Sequence, residues 1–147
     1  MFNPTREQVR EFFTEAWRKH QAQGVLTALE TIAAGIVLEH PEYHPLLSGP
    51  EAMTREFPPE HGQSNPFLHL SLHLAVEEQL SIDQPPGIRA AFETLRRTRG
   101  GHHNAMHDTI ECLGETMFKA MRNHTSPDGI SYLNSVRRRA GMPPAAD

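Results

Sequence analysis

The 147 residues, 37% of them hydrophobic, can bury one core without disulfide staples. A formal charge of −4, with both signs spread along the chain and one short basic run at Arg137–Arg139, argues against a nucleic-acid partner. No segment approaches the roughly 20 apolar residues that span a bilayer. The first residues lack an apolar signal segment, and a lone Cys112 excludes both an intrachain disulfide and a zinc module built on several thiolates.

Strand signals are almost absent, and helical spacing recurs along the chain. A first helix opens after Asn3-Pro4 with Thr5 as its cap, carries Val9, Phe12, Phe13, Ala16 and Trp17 at helical intervals, and fades by Gly24. A second begins near Thr27, with Leu29, Ile32, Ala33, Ile36 and Val37 as its stripe, and stops at Pro41. Residues 45 to 66 read as a loop, punctuated by proline and glycine, whose length allows a short helical turn or a cover over a site. A third helix has Asn65 as N-cap and Pro66 at its first position, and runs to about Leu80. It is apolar nearly all round, which predicts a central position. A fourth covers Ile88 to Arg97 and is stopped by Gly100-Gly101. A fifth runs from His102 to Arg122 with Ile110, Leu113, Met117 and Met121 as its stripe, and a short last helix follows Pro127-Asp128. The expectation is an all-α fold, an antiparallel bundle of five to six helices forming a single domain over residues 1–140, with a disordered tail over 141–147.

The compositional anomaly is histidine. There are ten, and six form three pairs spaced four apart. The third helix carries His69, His73 and Glu77 in successive four-residue steps, and the fifth repeats the pattern with His103, His107 and Glu111. Residues four apart on a helix share a face. Each helix therefore offers two imidazoles and a carboxylate along one stripe, and two facing stripes converge on a small volume. His40 and His44, at the end of the second helix, form the third pair. His40 continues that helix's apolar stripe inward, whereas His44 lies beyond Pro41 and Glu39 is the alternative ligand there.

Buried imidazoles and carboxylates are costly unless paired, and a metal ion satisfies them together. The spacing thus predicts a metal site of one or two ions drawn from His69, His73, Glu77, His103, His107, Glu111, His40 and His44. Glu39, Glu78 and Tyr43 are candidates to orient those ligands through hydrogen bonds. Imidazole with carboxylate suits iron, which is favoured, or zinc or manganese. The glutamate does not directly follow the first histidine, so this is not the zinc-protease motif. The reaction, if there is one, stays open: dioxygen binding, redox chemistry, or hydrolysis of a small-molecule substrate with Glu77, Glu78 or Glu111 as base. The competing expectation is a metal-free helical interaction module, its histidines and glutamates forming a buried hydrogen-bond network. His102 is read as capping its helix or facing solvent, His20, His61 and His124 as surface residues, Cys112 as packed, and Arg96, Arg97, Arg99 and Arg137–Arg139 as solvated.

The run Asn65-Pro66-Phe67-Leu68-His69-Leu70-Ser71-Leu72-His73-Leu74, the segment Asp83-Gln84-Pro85-Pro86-Gly87-Ile88, the opening Met1-Phe2-Asn3-Pro4 and the stretch Leu38-Glu39-His40-Pro41-Glu42-Tyr43-His44 resemble the bacterial family called domain of unknown function 1841. The resemblance covers nearly the whole chain. It implies a small cytoplasmic bacterial protein and brings no established activity. A looser likeness, of architecture alone, is to hemerythrin-type and DinB-type bundles, whose metals sit on helix-borne histidines; the ligand order here does not match the hemerythrin pattern residue by residue. Taken together, these readings describe a cytoplasmic protein with neither nucleic acid nor membrane as partner, for which a homo-oligomeric state is left open.

Overall fold

The structure is a computed structural model that describes residues 5–57 and 65–145. The chain divides into two compact units, residues 1–74 and 75–147. All regular structure among the described residues is helical: seven α-helices and one 3₁₀ turn. That exceeds the expected five or six, because the predicted loop over 45–66 opens with a helix of its own.

In the first unit, α1 spans Arg6–Gln21 and α2 spans Ala28–Leu38. Each starts with a threonine whose hydroxyl accepts from the third backbone N–H while the residue at that position reaches back to the threonine N–H: Thr5 with Gln8, and Thr27 with Glu30. The α2 helix ends before Pro41, as the missing proline N–H requires. A 3₁₀ turn over Pro41–Tyr43 then leads into α3, His44–Ser48. Pro45 is tolerated in that first turn, where its absent N–H has no carbonyl to meet. Residues 58–64, which complete the predicted loop, lie outside the described residues. The long α4, Pro66–Ile82, passes the boundary between the units. Asn65 caps it, its Oδ1 accepting from the N–H of Phe67 at 2.9 Å and of Leu68 at 3.3 Å. The core of this unit is built from Phe13, Ala16, Trp17, Ala33, Ile36, Val37, Leu47 and Ala52, together with Phe67, Leu70 and Leu74 of α4. Ile32, expected in the stripe, is exposed instead.

In the second unit, α5 (Ile88–Thr98), α6 (His102–Arg122) and α7 (Gly129–Arg139) pack on one another. Asp83 organises the entry to α5, its carboxylate accepting from Gly87 N at 3.3 Å and Arg89 N at 2.9 Å. Those bonds hold the Asp83 carboxyl below its ordinary value. Asp128 caps α7 through the N–H groups of Ile130 and Ser131. Tyr132 is buried and donates to Gln79 Oε1 at 2.6 Å, and that burial pushes its phenol up.

Two expectations need correction here. Ile110 and Leu113 are buried on α6, but Met117 and Met121 are exposed, Met121 to 75%, beside an exposed Phe118. Arg139 is half-buried and paired rather than part of a solvated face. It donates to Asp108, Glu111 and Glu115 of α6 at 3.2, 2.6 and 3.4 Å, which raises its pKa. Residues 141–145 make bonds to α7: Met142 N donates to Arg137 O, Arg137 Nε to Pro143 O, and Ala145 N to Asn134 Oδ1. Residues 146 and 147 lie outside the described residues. Cys112 is buried as expected, which raises its thiol pKa and keeps it out of thiolate chemistry.

Candidate metal centre

Within the first unit the structure gathers His40, His69 and His73. One ring nitrogen of each lies within 4.8 Å of the others. His40 and His73 are buried, 4% and 1% exposed, and His69 is half-buried. The local reasons are in the sequence. His69 and His73 stand one turn apart on α4, so their rings share a face, with centroids 6.2 Å apart. His40 sits where the chain leaves α2 at Pro41, and its ring packs edge-on against both, at 4.9 Å from His69 and 5.5 Å from His73.

The tautomer of His40 follows from one contact. Its Nδ1 lies 2.7 Å from the Ile36 carbonyl oxygen, which can only accept, so Nδ1 carries the hydrogen. Nε2 then presents its lone pair towards His69 Nε2, 3.1 Å away. A backbone carbonyl fixing one imidazole nitrogen while the other faces the site is the usual arrangement behind a metal-ligating histidine. The same short N···N distance also suits a hydrogen bond donated by His69 Nε2–H. Tyr43 covers His40 with parallel rings, 5.3 Å between centroids and 2° between planes, and lies 6.1 Å from His69. It is half-buried, and that burial pushes its phenol up.

His44 takes another course. Its Nε2–H donates to the Val37 carbonyl at 2.8 Å, and its ring lies against Trp17 at 4.3 Å. Those contacts anchor the turn after α2 and leave His44 outside the three-histidine group. Glu39 is the exposed C-cap residue that follows α2.

The remaining candidates belong to the second unit. Glu77 meets His102 Nε2 at 3.4 Å, so the histidine read as a cap or solvent-facing residue is the partner of the predicted carboxylate ligand. His103 and His107 face each other on α6 with ring centroids 4.3 Å apart. Glu111 is exposed and given to Arg139 at 2.6 Å. Glu78 is half-buried on α4. His20, read as a surface residue, stacks on Trp17 at 5.5 Å.

Sequence reading missed Arg10. It is 1% exposed, although the surrounding pattern carried the signal, since Arg10 precedes Phe13 and Trp17 by three and seven positions on one face of α1.

Fold and site together define an all-α protein with a buried three-histidine cluster in its first unit. A family model described as "Domain of unknown function (DUF1841)" matches residues 5–138, and the chain belongs to that family. No curated protein and no solved structure matches it. The looser likeness to hemerythrin-type bundles finds no support in these comparisons.

Proposed function

We propose that this protein binds a single transition-metal ion through His40, His69 and His73. The observation that supports the reading is the gathering of three imidazole nitrogens within 4.8 Å, with the His40 tautomer set by Ile36. A cation with nitrogen bonds of about 2.1 Å holds ligand atoms roughly 3.0–3.4 Å apart in octahedral or tetrahedral geometry. The 3.1 Å between His40 and His69 Nε2 matches that spacing, and a ring nitrogen of His73 lies within 4.8 Å of both partners. An all-imidazole set fits iron or zinc better than manganese, which prefers oxygen ligands. Iron remains the first choice. The cluster needs no thiolate, in keeping with a cytoplasmic protein whose one cysteine is packed away.

Three neutral imidazoles leave the charge of the ion uncompensated, so coordination is completed by water or by an oxygen ligand. This supports a reactive or sensing role over a purely structural one. A second ion on His103, His107, Glu77 and Glu111 is the dinuclear form of the proposal. The engagement of Glu111 with Arg139 and of Glu77 with His102 favours the mononuclear form.

The test is metal analysis of the full chain purified without a nickel column, paired with thermal unfolding as Fe(II) or Zn(II) is added. The proposal expects close to one ion per chain and a rise in Tm on reloading a stripped sample. Trace metal with no thermal response would instead leave the His40–His69 contact as part of a metal-free hydrogen-bond network, the mark of a helical interaction module.

A further inference from the structure

Away from the histidines, the first unit buries a charge that its own hydrogen bonds do not satisfy. Arg10 is the largest side chain among those fully buried. Its guanidinium lies 4.8 Å from the centre of the Phe67 ring and 5.8 Å from that of Phe57, and its Nη1 group donates to Ala52 O at 3.2 Å. Nε and Nη2 are buried and have no hydrogen-bond partner among the described residues. Burial, and then the neighbouring charge of Arg6, weigh against the guanidinium. Glu56 offsets them in part, while its carboxylate is bonded to Arg6 at 2.8 Å. A guanidinium does not deprotonate in a protein, so the charge must be met by other means.

The edge left over is informative. Nε–H and one N–H of Nη2 point the same way and form the parallel fork that accepts two oxygens of a carboxylate or phosphate. A cleft of about 180 Å³ adjoins Arg10, with Arg6, Asn65, Phe67 and Ser71 among its walls. At about 30 Å³ per water in the liquid, that is room for a phosphate- or acetate-sized group in place of several waters. The exposed Arg6 stands at the rim, its charge shared with Glu56. Phe57 and Phe67 screen the fork from water, where an ionic hydrogen bond is strongest.

We propose that the Nε/Nη2 edge of Arg10 is a binding site for a small oxyanion, a carboxylate or phosphate group taken side-on at the cleft between α1 and the start of α4. The site is separate from the histidine cluster and does not depend on any metal.

The experiment uses the full chain at constant ionic strength, with sodium phosphate or sodium acetate replacing sodium chloride. Tm is followed alongside the arginine Nε–H region of ¹H–¹⁵N spectra. The expected result is a rise in Tm that saturates with one or both oxyanions. One Nε–H resonance, near the aromatic protons of Phe67, moves along the same curve. Arg10→Lys keeps the charge and removes the fork, so it should weaken the response at least tenfold. Phosphate against acetate tells which oxyanion the site prefers. An equal response to chloride, an undiminished response in Arg10→Lys, or a spectrum in which no Nε–H moves would overturn the proposal. Should Arg10→Lys fail to fold, the titration of the unaltered protein decides alone.

Discussion

His40 and His69 come from segments 29 positions apart, yet their Nε2 atoms lie 3.1 Å from each other. The separation fits two imidazoles held on one cation as well as a direct N–H···N bond, and the two cases differ in what a substitution does. If a cation is held, His69→Ala and His73→Ala each reduce bound metal by more than half. Each also removes most of the metal-dependent stabilisation seen as a rise in Tm, a free energy of about 2.7 kcal/mol at a hundredfold excess over Kd. Metal content by plasma mass spectrometry and a melting curve with and without added ion provide the check. Metal content unchanged in both variants would dismiss these residues as ligands.

Trp17 is the only tryptophan and sits in the core of the first unit, its Nε1–H donating to Ser48 Oγ at 3.1 Å. Trp17→Phe keeps most of the apolar surface and loses that bond and part of the stack on His44. A loss of about 1 kcal/mol is expected from the hydrogen bond, read from urea unfolding followed by helical circular dichroism. In the unaltered protein, tryptophan fluorescence reports the first unit alone, whereas circular dichroism reports both units.

The caps and helix starts were legible because they are local. Thr5, Thr27, Asn65 and Asp128 each act through N–H groups two or three positions ahead. The α3 helix was legible only as a short turn allowed within a long loop, because Pro45, a breaker in most contexts, stands in its first turn. The stripe on α6 gave the correct face, yet spacing cannot say how far along a helix its neighbours reach, and so Met117 and Met121 emerge exposed. The site divides the same way. Residue types and spacing singled out His40, His69 and His73, but the partners of the others are distant. Glu111 is taken by Arg139, 28 positions away, and His44 by a backbone carbonyl that carries no sequence signal.

Glu30 links acid stability to the start of α2. Its carboxylate accepts from Thr27 N at 2.9 Å and from Lys19 Nζ at 3.0 Å, and these bonds lower its pKa in the folded chain. A depressed carboxyl stabilises fully above the unfolded value of about 4.3. That contribution is lost as pH falls through the lower folded value. Glu30→Gln preserves the reach back to Thr27 N and removes the charge. Its stability should therefore fall less steeply below about pH 4 than that of the unaltered protein, measured by thermal unfolding across a pH series. Identical acid limbs would contradict this.

Arg139 gathers three carboxylates of α6, so Arg139→Gln leaves Asp108, Glu111 and Glu115 repelling one another within reach of their former partner. Part of the network is exposed, which limits the expected loss to about 1 kcal/mol. The loss should shrink as salt is raised, because screening weakens both the attraction removed and the repulsion left. Denaturation at low and high sodium chloride tests both statements.

The central claim is most directly tested by the anomalous-scattering spectrum of crystals grown from protein purified without added metal. The account predicts an absorption edge of iron or zinc and one anomalous peak about 2.1 Å from ring nitrogens of His40, His69 and His73. Electron density showing His40 Nε2 and His69 Nε2 in direct contact, with no anomalous peak even after soaking in Fe(II) or Zn(II), would contradict it.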